Sequence, residues 1–246
     1  MSLRIGTWNL DHAIPKRRSA LQAVMTAYPA EIWVLTETHD AVVPAPGMVG
    51  VHSEQRPFES KRVRQSSRWA SIWTAYPVVE RVDCPGADRS RTVAVRLAIT
   101  DEMRLIVYAT VLPWASDSHF RGAAAKAAEF RRQIGEWDAL RREHPDDYLC
   151  IAGDFNADMA TGQVGSSERV GLLNQAFARL KLDCLSCPAR MPPGLLADPP
   201  IDHVALSQPL SNDARIIAAW PPDKKKLSDH SGLVAELSGI KRPSSA

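Results

Sequence analysis

Cysteine, long apolar runs and net charge are all scarce in this chain, and each shortage excludes a class of protein. Only 4 of the 246 residues are cysteine, too few for the disulfide framework of a small secreted domain. No window approaches the roughly 18 consecutive apolar residues that a membrane span requires. The amino terminus also lacks the basic head and apolar run of a signal peptide. We therefore expect a cytoplasmic protein without a membrane span.

The charges nearly cancel, since 30 Lys and Arg against 28 Asp and Glu give a formal net charge of +2. This balance excludes a histone-like polybasic protein and an intrinsically disordered chain. It leaves nucleic acid open as a partner, because the clustering of basic residues matters more than their sum. With 45% hydrophobic residues, a chain of this length can bury enough surface to fold without a disulfide or a metal.

The four cysteines are Cys84, Cys150, Cys184 and Cys187. The last two form a C-x-x-C pair, a spacing that also occurs in half of a zinc site or in a redox motif. No second pair accompanies it, and Cys150 lies in an apolar run where thiols are commonly buried. We expect all four to be reduced thiols without a chemical role.

Short apolar runs rich in β-branched residues recur along the chain and predict β-strands. In chain order they are Leu3–Trp8, Glu31–Thr36, Trp69–Ala75, Thr92–Ile99, Arg104–Val111, Tyr148–Ala152, Ile201–Leu206, Ala214–Trp220 and Gly232–Leu237. Apolar residues spaced by three and four predict helices over Arg17–Tyr28, Phe120–His144 and Glu168–Leu180. Many strands with a few interspersed helices indicate an α/β fold.

No repeat, low-complexity tract or long linker divides the chain. We expect one monomeric domain over residues 1–240 and a disordered tail over residues 241–246. The segment Thr38–Ser67 predicts a long polar insertion between strands, and such loops are commonly functional or mobile.

Several predicted strands end in a polar residue. Asn9 and Glu37 follow the first two strands, and Asp154 and Asn156 follow the sixth. Carboxylate and amide oxygens at the ends of buried strands are ligands that Mg²⁺ prefers, and Mg²⁺ is usually held by one or two carboxylates plus a substrate phosphate. These residues therefore indicate hard-cation chemistry on a phosphate.

Two further acidic residues and a histidine fit the same chemistry. Asp202 shares one face of its strand with apolar neighbours, where a lone carboxylate is costly unless it is paired. Asp229 and His230 directly precede the last strand, and an acidic partner would keep His230 protonated near neutral pH. Each residue alone is equally typical of a turn or a cap, so the argument rests on their occurring together.

Five motifs stand in a familiar order. They are Thr7-Trp8-Asn9, Leu35-Thr36-Glu37-Thr38, Gly153-Asp154-Phe155-Asn156-Ala157, Ile201-Asp202-His203-Val204 and Leu227-Ser228-Asp229-His230-Ser231-Gly232. In order and spacing they resemble the endonuclease/exonuclease/phosphatase superfamily of DNase I-like metal-dependent phosphoesterases, over nearly the whole chain. The resemblance implies a four-layered α/β/β/α sandwich of two mixed β-sheets flanked by helices, with the site at one end.

The resemblance also implies roles for the residues. Glu37 is the principal ligand of Mg²⁺, for which Mn²⁺ can substitute, and Asn9 and Asp229 lie on the metal side. Asp154 activates or orients the attacking water, and Asn156 holds a phosphate oxygen. Asp202 orients His230 and favours its imidazolium form, which stabilises charge on the phosphoryl oxygens.

One position departs from the family pattern. The nuclease branches place a His or Tyr at the end of the fifth predicted strand, and Val111 occupies that position here. Tyr108 lies three residues earlier, so strand alternation predicts that it points to the opposite face. His119, in the following loop, is an alternative source of the polar group.

Substrate contacts are predicted from charge and aromatic residues near these motifs. A basic segment includes Arg56, Arg62 and Arg64 and could grip a polyanion or be a solvated loop. Lys224–Lys226 adds a second basic run beside His230. Trp114 could stack on a base or pack under its own loop.

The leading interpretation is a Mg²⁺-dependent phosphodiesterase acting on nucleic acid. An alternative is a phosphatase or phosphodiesterase for a small or lipid-derived phosphate, which the valine at position 111 and the weak net charge keep open. A catalytically silent binding module is a third interpretation, against which the nearly complete polar set argues.

Overall fold

The computed structural model describes residues 2–57, 61–223 and 227–240. The predicted tail and the Lys224–Lys226 run lie outside the described residues. The helices are α1 (Arg18–Ala27), α2 (Gly122–Glu143) and α3 (Ser167–Leu180). The strands are β1 (Leu3–Asn9), β2 (Ile32–His39), β3 (Val49–His52), β4 (Ser67–Thr74), β5 (Val78–Val82), β6 (Thr92–Ala98), β7 (Arg104–Val111), β8 (Tyr148–Asp154), β9 (Leu182–Cys184), β10 (Asp202–Ser207), β11 (Ala214–Trp220) and β12 (Gly232–Leu237).

The strands form two six-stranded mixed sheets. The first has the order β11-β12-β1-β2-β4-β3 and the second the order β5-β6-β7-β8-β10-β9. Each sheet has one parallel pair, β1 with β2 and β7 with β8, and antiparallel neighbours elsewhere. A parallel pair needs a crossover connection, and α1 and α2 supply it. The carboxyl ends of both parallel pairs lie at the same end of the molecule.

Alternation along the strands builds three layers of apolar contacts. Leu3 and Ile5 of β1 belong with Cys150 and Ala152 of β8 to the apolar core between the sheets. A second cluster lies between the outer face of the second sheet and α2 and α3. A third, rich in tryptophan, lies between the first sheet and α1. The predicted four-layered α/β/β/α sandwich is confirmed.

The nine predicted strands and three predicted helices are all present, with ends shifted by a few residues. Three strands were not predicted: β3, β5 and β9. All lie at a sheet edge. β3 and β5 are largely exposed or half-buried and β9 has only three residues, so none of them forms a continuous apolar run. The expectation that Thr38–Ser67 is only a loop is wrong, because β3 (Val49–His52) lies within it and pairs with β4.

The expectation that all four cysteines are reduced is also wrong. Cys184 and Cys187 form a disulfide, with their Cα atoms 5.5 Å apart, a separation within the range that a disulfide bridges. Strand β9 ends at Cys184, and the turn that follows brings Cys187 back over it. Cys84 and Cys150 are free and buried, as expected.

A row of buried polar side chains on α2 fixes the second sheet. Tyr108 points away from the other sheet, as predicted, and its hydroxyl donates to Glu136 Oε2 at 2.6 Å. Gln133 contacts Thr110 Oγ1 and the carbonyl oxygen of Val111, so the end of β7 is held from α2. No described helix, including this longest one, is both long and apolar enough to cross a membrane.

Gly153 is required directly before the site residue Asp154. Its φ is +128°, and a Cβ atom there would lie 2.2 Å from the carbonyl oxygen of Thr110. We expect Gly153→Ala to lower the free energy of unfolding by about 2–4 kcal/mol, because it adds both backbone strain and a clash.

Urea denaturation measures this, with Gly135→Ala as the control. Gly135 lies in the middle of α2, where an added Cβ atom would meet no neighbour within 4 Å among the described residues beyond the helix backbone itself. That change should therefore stabilise by about 0.5–1 kcal/mol. An unchanged midpoint for Gly153→Ala would contradict the packing of β8 against β7.

Candidate active site

The carboxamide of Asn9 joins the two sheets at their shared end. Its Nδ2 atom donates to Asp154 Oδ2 of β8 at 3.0 Å and to Glu37 Oε1 of β2 at 3.3 Å. Asn9 is fully buried and Asp154 nearly so. Side chains from two different sheets therefore meet in one polar cluster.

Strand register places the other acidic residue of the cluster. Asp202, the first residue of β10, pairs with Asp154 across the antiparallel ladder, so both side chains lie on the face toward the first sheet. Asp202 Oδ2 lies 2.6 Å from His230 Nδ1. The ligand atoms of Asp154, Asp202 and His230 all lie within 4.8 Å of one another.

The turn before β12 positions His230. The hydroxyl of Ser228 donates to the carbonyl oxygen of Asn9 at 2.6 Å and accepts from the backbone N–H of His230 at 3.1 Å. Trp8 Nε1 donates to the carbonyl oxygen of His230 at 3.2 Å. Ser228 therefore fixes this turn to β1, a role that its position in the motif did not indicate.

Glu37 has a backbone conformation that strand alternation does not predict. Its φ is +46°, and the pairing of β2 with β4 skips it between Thr36 and Thr38. Arg56 Nη1 donates to Glu37 Oε2 at 3.0 Å. Burial alone would raise the pKa of Glu37, but Arg56 and His12 outweigh it and lower that pKa below its usual value. Glu37 is therefore a carboxylate at neutral pH.

The charge states of Asp154 and Asp202 depend on that of His230. Burial, with Asp202 and Glu37 nearby, raises the pKa of Asp154 to about 7. Burial also raises the pKa of Asp202, although His230 opposes the shift. Burial works against the imidazolium, but Asp202 and Asp154 outweigh it and raise the pKa of His230 to about 10. His230 is therefore charged at neutral pH.

Asn156 and Asp229 lie at the border of the cluster. The backbone N–H of Asn156 donates to Asp154 Oδ1, and its Nδ2 donates to the carbonyl oxygen of Leu112, both at 2.9 Å. Asp229 has a side chain 42% exposed, with Oδ1 4.0 Å from His230 Nε2. Asn156 is thus held rigidly, whereas Asp229 lies at the mouth.

The donor set fits a hard divalent cation. Carboxylate oxygens of Asp154 and Asp202 lie within 4.8 Å of each other, and Glu37 and Asp154 both accept from Asn9 Nδ2. Oxygen ligands are those that Mg²⁺ and Mn²⁺ prefer. Asp202 Oδ1 is buried without a hydrogen-bond partner within the described residues, as expected of an oxygen near a cation. The Oδ1 atom of Asn9 accepts from the backbone N–H of Asp11 at 2.9 Å, so Asn9 here positions carboxylates, and its contact with a metal stays a prediction.

The predicted substrate residues lie in different settings. Arg62 is 65% exposed, 3.5 Å from Asp11 Oδ1, and Arg64 is exposed. Trp114 is half-buried and packs against Trp69 with ring centroids 5.7 Å apart. His119 Nε2 lies 2.9 Å from Asp88 Oδ2, a contact that accounts for its position without a substrate.

A stack of cationic and aromatic side chains supports Glu37 from behind, and the sequence did not reveal it. The guanidinium carbon of Arg56 lies 3.2 Å from the centroid of a Trp69 ring, and that of Arg91 lies 4.5 Å from it. Arg91 in turn forms a buried ion pair with Asp117 at 2.9 Å. The only signal was the basic segment containing Arg56, which is typical both of a surface that contacts a polyanion and of a solvated loop.

Val111 lies beside Asp154 as the sequence predicts. The two residues are register partners in the parallel ladder of β7 and β8, and Val111 is fully buried. Its side chain is on the same face as Asp154 because partners across a ladder share a face. A buried apolar side chain therefore occupies the position beside Asp154.

Comparison with known proteins assigns the family. The model of the endonuclease/exonuclease/phosphatase family matches residues 6–230. The chain belongs to this family. Enzymes of the endonuclease/exonuclease/phosphatase family hydrolyse phosphate esters and are generally dependent on divalent metals, so this chain is a phosphoesterase. None of the curated protein sequences matches it significantly.

Solved structures show the DNase I-like fold of the endonuclease/exonuclease/phosphatase family. The 3′-5′ exonuclease NExo from Neisseria meningitidis has a TM-score of 0.69 at 19% identity, over 96% of this chain and all of that one. The AP endonuclease LMAP from Leishmania major has a TM-score of 0.69 at 14% identity, over 97% and 88%. A protein named for the family from Beutenbergia cavernae has a TM-score of 0.64 at 20% identity, over 96% and 71%.

We expect His203 and His230 to have opposite charge states at neutral pH. His203 lies on the outer face of β10, with Nδ1 2.8 Å from Ser186 Oγ and Nε2 2.8 Å from the carbonyl oxygen of Ala157. Burial lowers the pKa of His203 to about 4. In metal-free protein, His230, with its pKa raised to about 10, should stay an imidazolium from neutral pH until the pH approaches that value. His203 should stay neutral until the pH falls to about 4.

Side-chain ¹⁵N NMR of labelled histidine distinguishes the two states. The variants His230→Gln and His203→Gln assign the signals, each by the loss of one ring. Neutral-imidazole shifts for His230 at about pH 7 would contradict the pairing with Asp202.

Proposed function

We propose that this chain is a Mg²⁺-dependent phosphodiesterase that cleaves nucleic acid, with Mn²⁺ able to substitute. One observation supports it above all. A buried carboxylate cluster lies beside an imidazolium, where Asp154, Asp202 and His230 converge within 4.8 Å. Oxygen ligands and a fixed positive charge at one point are what a phosphoryl centre requires.

Glu37 would hold the metal, with Asp229 and the amide of Asn9 beside it. Glu37 is suited to this because Arg56 keeps its carboxylate charged and fixed. A bound Mg²⁺ supplies Lewis-acid stabilisation to the phosphate oxygens.

Asp154 accepts the proton of the attacking water in this proposal. A carboxyl with a pKa near the working pH is an effective general base, and burial raises the pKa of Asp154 to about 7. Asn156 orients a phosphate oxygen, because its amide is anchored to Leu112 at the edge of the cluster.

His230 stabilises the charge that grows on the phosphoryl oxygens. Its Nδ1 is occupied by Asp202 at 2.6 Å, so Nε2 is the donor directed at substrate. Asp202 fixes the ring and keeps it charged, and a donor preorganised in this way loses no reorganisation energy during the reaction.

Basic side chains at the mouth favour nucleic acid as the substrate. Arg62 contacts Asp11, whose backbone N–H bonds Asn9, and exposed Arg64 lies close enough to Arg18 to affect its pKa. Several cations along one edge suit a repeating phosphate backbone. Val111 offers no polar side chain to a substrate phosphate, which favours the alternative, a smaller phosphate ester.

Metal dependence and substrate class can be measured together. Hydrolysis should be abolished in EDTA and restored by Mg²⁺ or Mn²⁺. Bis-(p-nitrophenyl) phosphate, p-nitrophenyl phosphate, plasmid DNA, RNA and an abasic oligonucleotide form the panel, and we expect polynucleotides to be cleaved fastest. Full activity in chelator would contradict the proposal, and preferential cleavage of the monoester would support the alternative substrate class.

Val111 is expected to limit the rate. Val111→Thr adds a hydroxyl without adding volume, and Val111→His adds a ring nitrogen. Each should raise phosphodiesterase kcat, because one positioned hydrogen-bond donor typically changes kcat by a factor of about 10²–10³. Steady-state kinetics measures this, and circular dichroism checks that the variants fold. No gain in either folded variant, together with a large loss in His119→Ala, would show that His119 supplies the donor instead.

A further inference from the structure

A cavity of about 880 Å³ adjoins the active site between α2 and α3. We call it the α2–α3 groove. Its lining includes Trp114, Lys126, Phe130, Arg131, Asn156 and Arg169. Asn156 belongs to both places, since its backbone N–H bonds Asp154. The groove therefore begins one side chain away from the carboxylate cluster.

The groove combines apolar walls with positive charge. Its lining has three basic residues and one acidic residue, Glu168. The guanidinium carbon of Arg169 lies 5.3 Å from the centroid of the Phe130 ring, and its Nη1 donates to the carbonyl oxygen of Pro113. Burial lowers the pKa of Arg169, although Asp117 and Glu168 oppose the shift. An anion in the groove would compensate this desolvated cation.

The aromatic wall is firmly supported. Trp114 packs against Trp69, and the guanidinium carbon of Arg91 lies 5.1 Å from its ring centroid. Its half-buried ring also lines the groove. A fixed indole that lines a groove is a platform on which a base can stack.

The opposite wall is a loop fixed by Asp158. Its carboxylate accepts from the backbone N–H groups of Ala160, Thr161 and Gln163. Burial would raise the pKa of Asp158, but these bonds outweigh it and lower that pKa to about 2. The groove is therefore shaped before any ligand arrives, which reduces the entropy cost of binding.

We propose that the α2–α3 groove binds the single-stranded nucleotide next to the scissile phosphate, with its base on Trp114 and its phosphate between Arg131 and Arg169. The inference rests on the proposed function and specifies its substrate as an unstacked strand. A nucleotide combines the aromatic face and the negative charge that the groove complements, and the volume is in the range of ligand sites of that size. A stacked duplex presents no free base face to Trp114.

The proposed nucleotide site can be tested by measuring nucleic-acid binding under conditions in which no cleavage occurs. Fluorescein-labelled DNA and RNA strands of about twelve nucleotides are titrated in EDTA, and fluorescence anisotropy gives Kd over a range of salt concentrations. The double variant Arg131→Gln/Arg169→Gln should weaken binding and reduce the salt slope by about 0.7 per lost phosphate contact. Trp114→Leu should weaken binding about tenfold, while Trp114→Phe retains most of it.

Arg142→Gln is the matched control, because Arg142 is an exposed cation in the last turn of α2. It should leave Kd and the salt slope unchanged. The inference would be overturned if the double variant kept the Kd and salt slope of the wild type. It would also be overturned if the wild type showed no measurable binding. An equal loss for a blunt duplex in Trp114→Leu would overturn the assignment to an unstacked strand. Metal-dependent cleavage of bis-(p-nitrophenyl) phosphate is measured separately. A failure of the proposed phosphodiesterase function can therefore be distinguished from a failure of the groove to bind nucleic acid.

Discussion

Three carboxylates in one largely buried polar cluster set the main constraint on this molecule. Glu37, Asp154 and Asp202 come from three strands in two sheets, and burying them together is costly unless each has a partner. Asn9 donates to the first two, His230 pairs with the third, and Arg56 neutralises Glu37 from behind. Because these bonds are short, the strand ends that carry the residues must lie close together. These are the carboxyl ends of β1, β2 and β8 and the amino end of β10. This requirement fixes how the two sheets are aligned.

Much of this arrangement could be predicted from the sequence. Buried strands appear in the sequence as apolar runs. When such strands are parallel, the polar residues at their carboxyl ends lie together at one end of the sheet. Asp154 and Asp202 follow directly from that pattern, since alternation puts both on the inner face. The assignment of Val111 and Tyr108 to opposite faces follows from the same period of two and is confirmed.

Other features depend on contacts that no local pattern encodes. The positive φ of Glu37 reverses the direction that alternation assigns to its side chain, and a glutamate in a strand gives no sign of it. Arg56 belongs to a basic segment typical of a solvated loop, yet it is buried against Trp69. The edge strands β3, β5 and β9 likewise arise from tertiary pairing rather than from propensity. The disulfide of Cys184 with Cys187 is different, because the two residues are only three apart and their C-x-x-C spacing is also that of a redox motif.

The stack of Arg56 on Trp69 has a consequence for how this chain can evolve. A substitution that removed the carboxylate of Glu37 would delete the proposed metal ligand and also an ion pair of the Arg56 guanidinium, whose side chain is 5% exposed. Such a change damages the interior as well as the chemistry, so the active centre cannot decay alone. Because the two side chains are in direct contact, positions 37 and 56 should covary among descendants that abandon hydrolysis while keeping the fold.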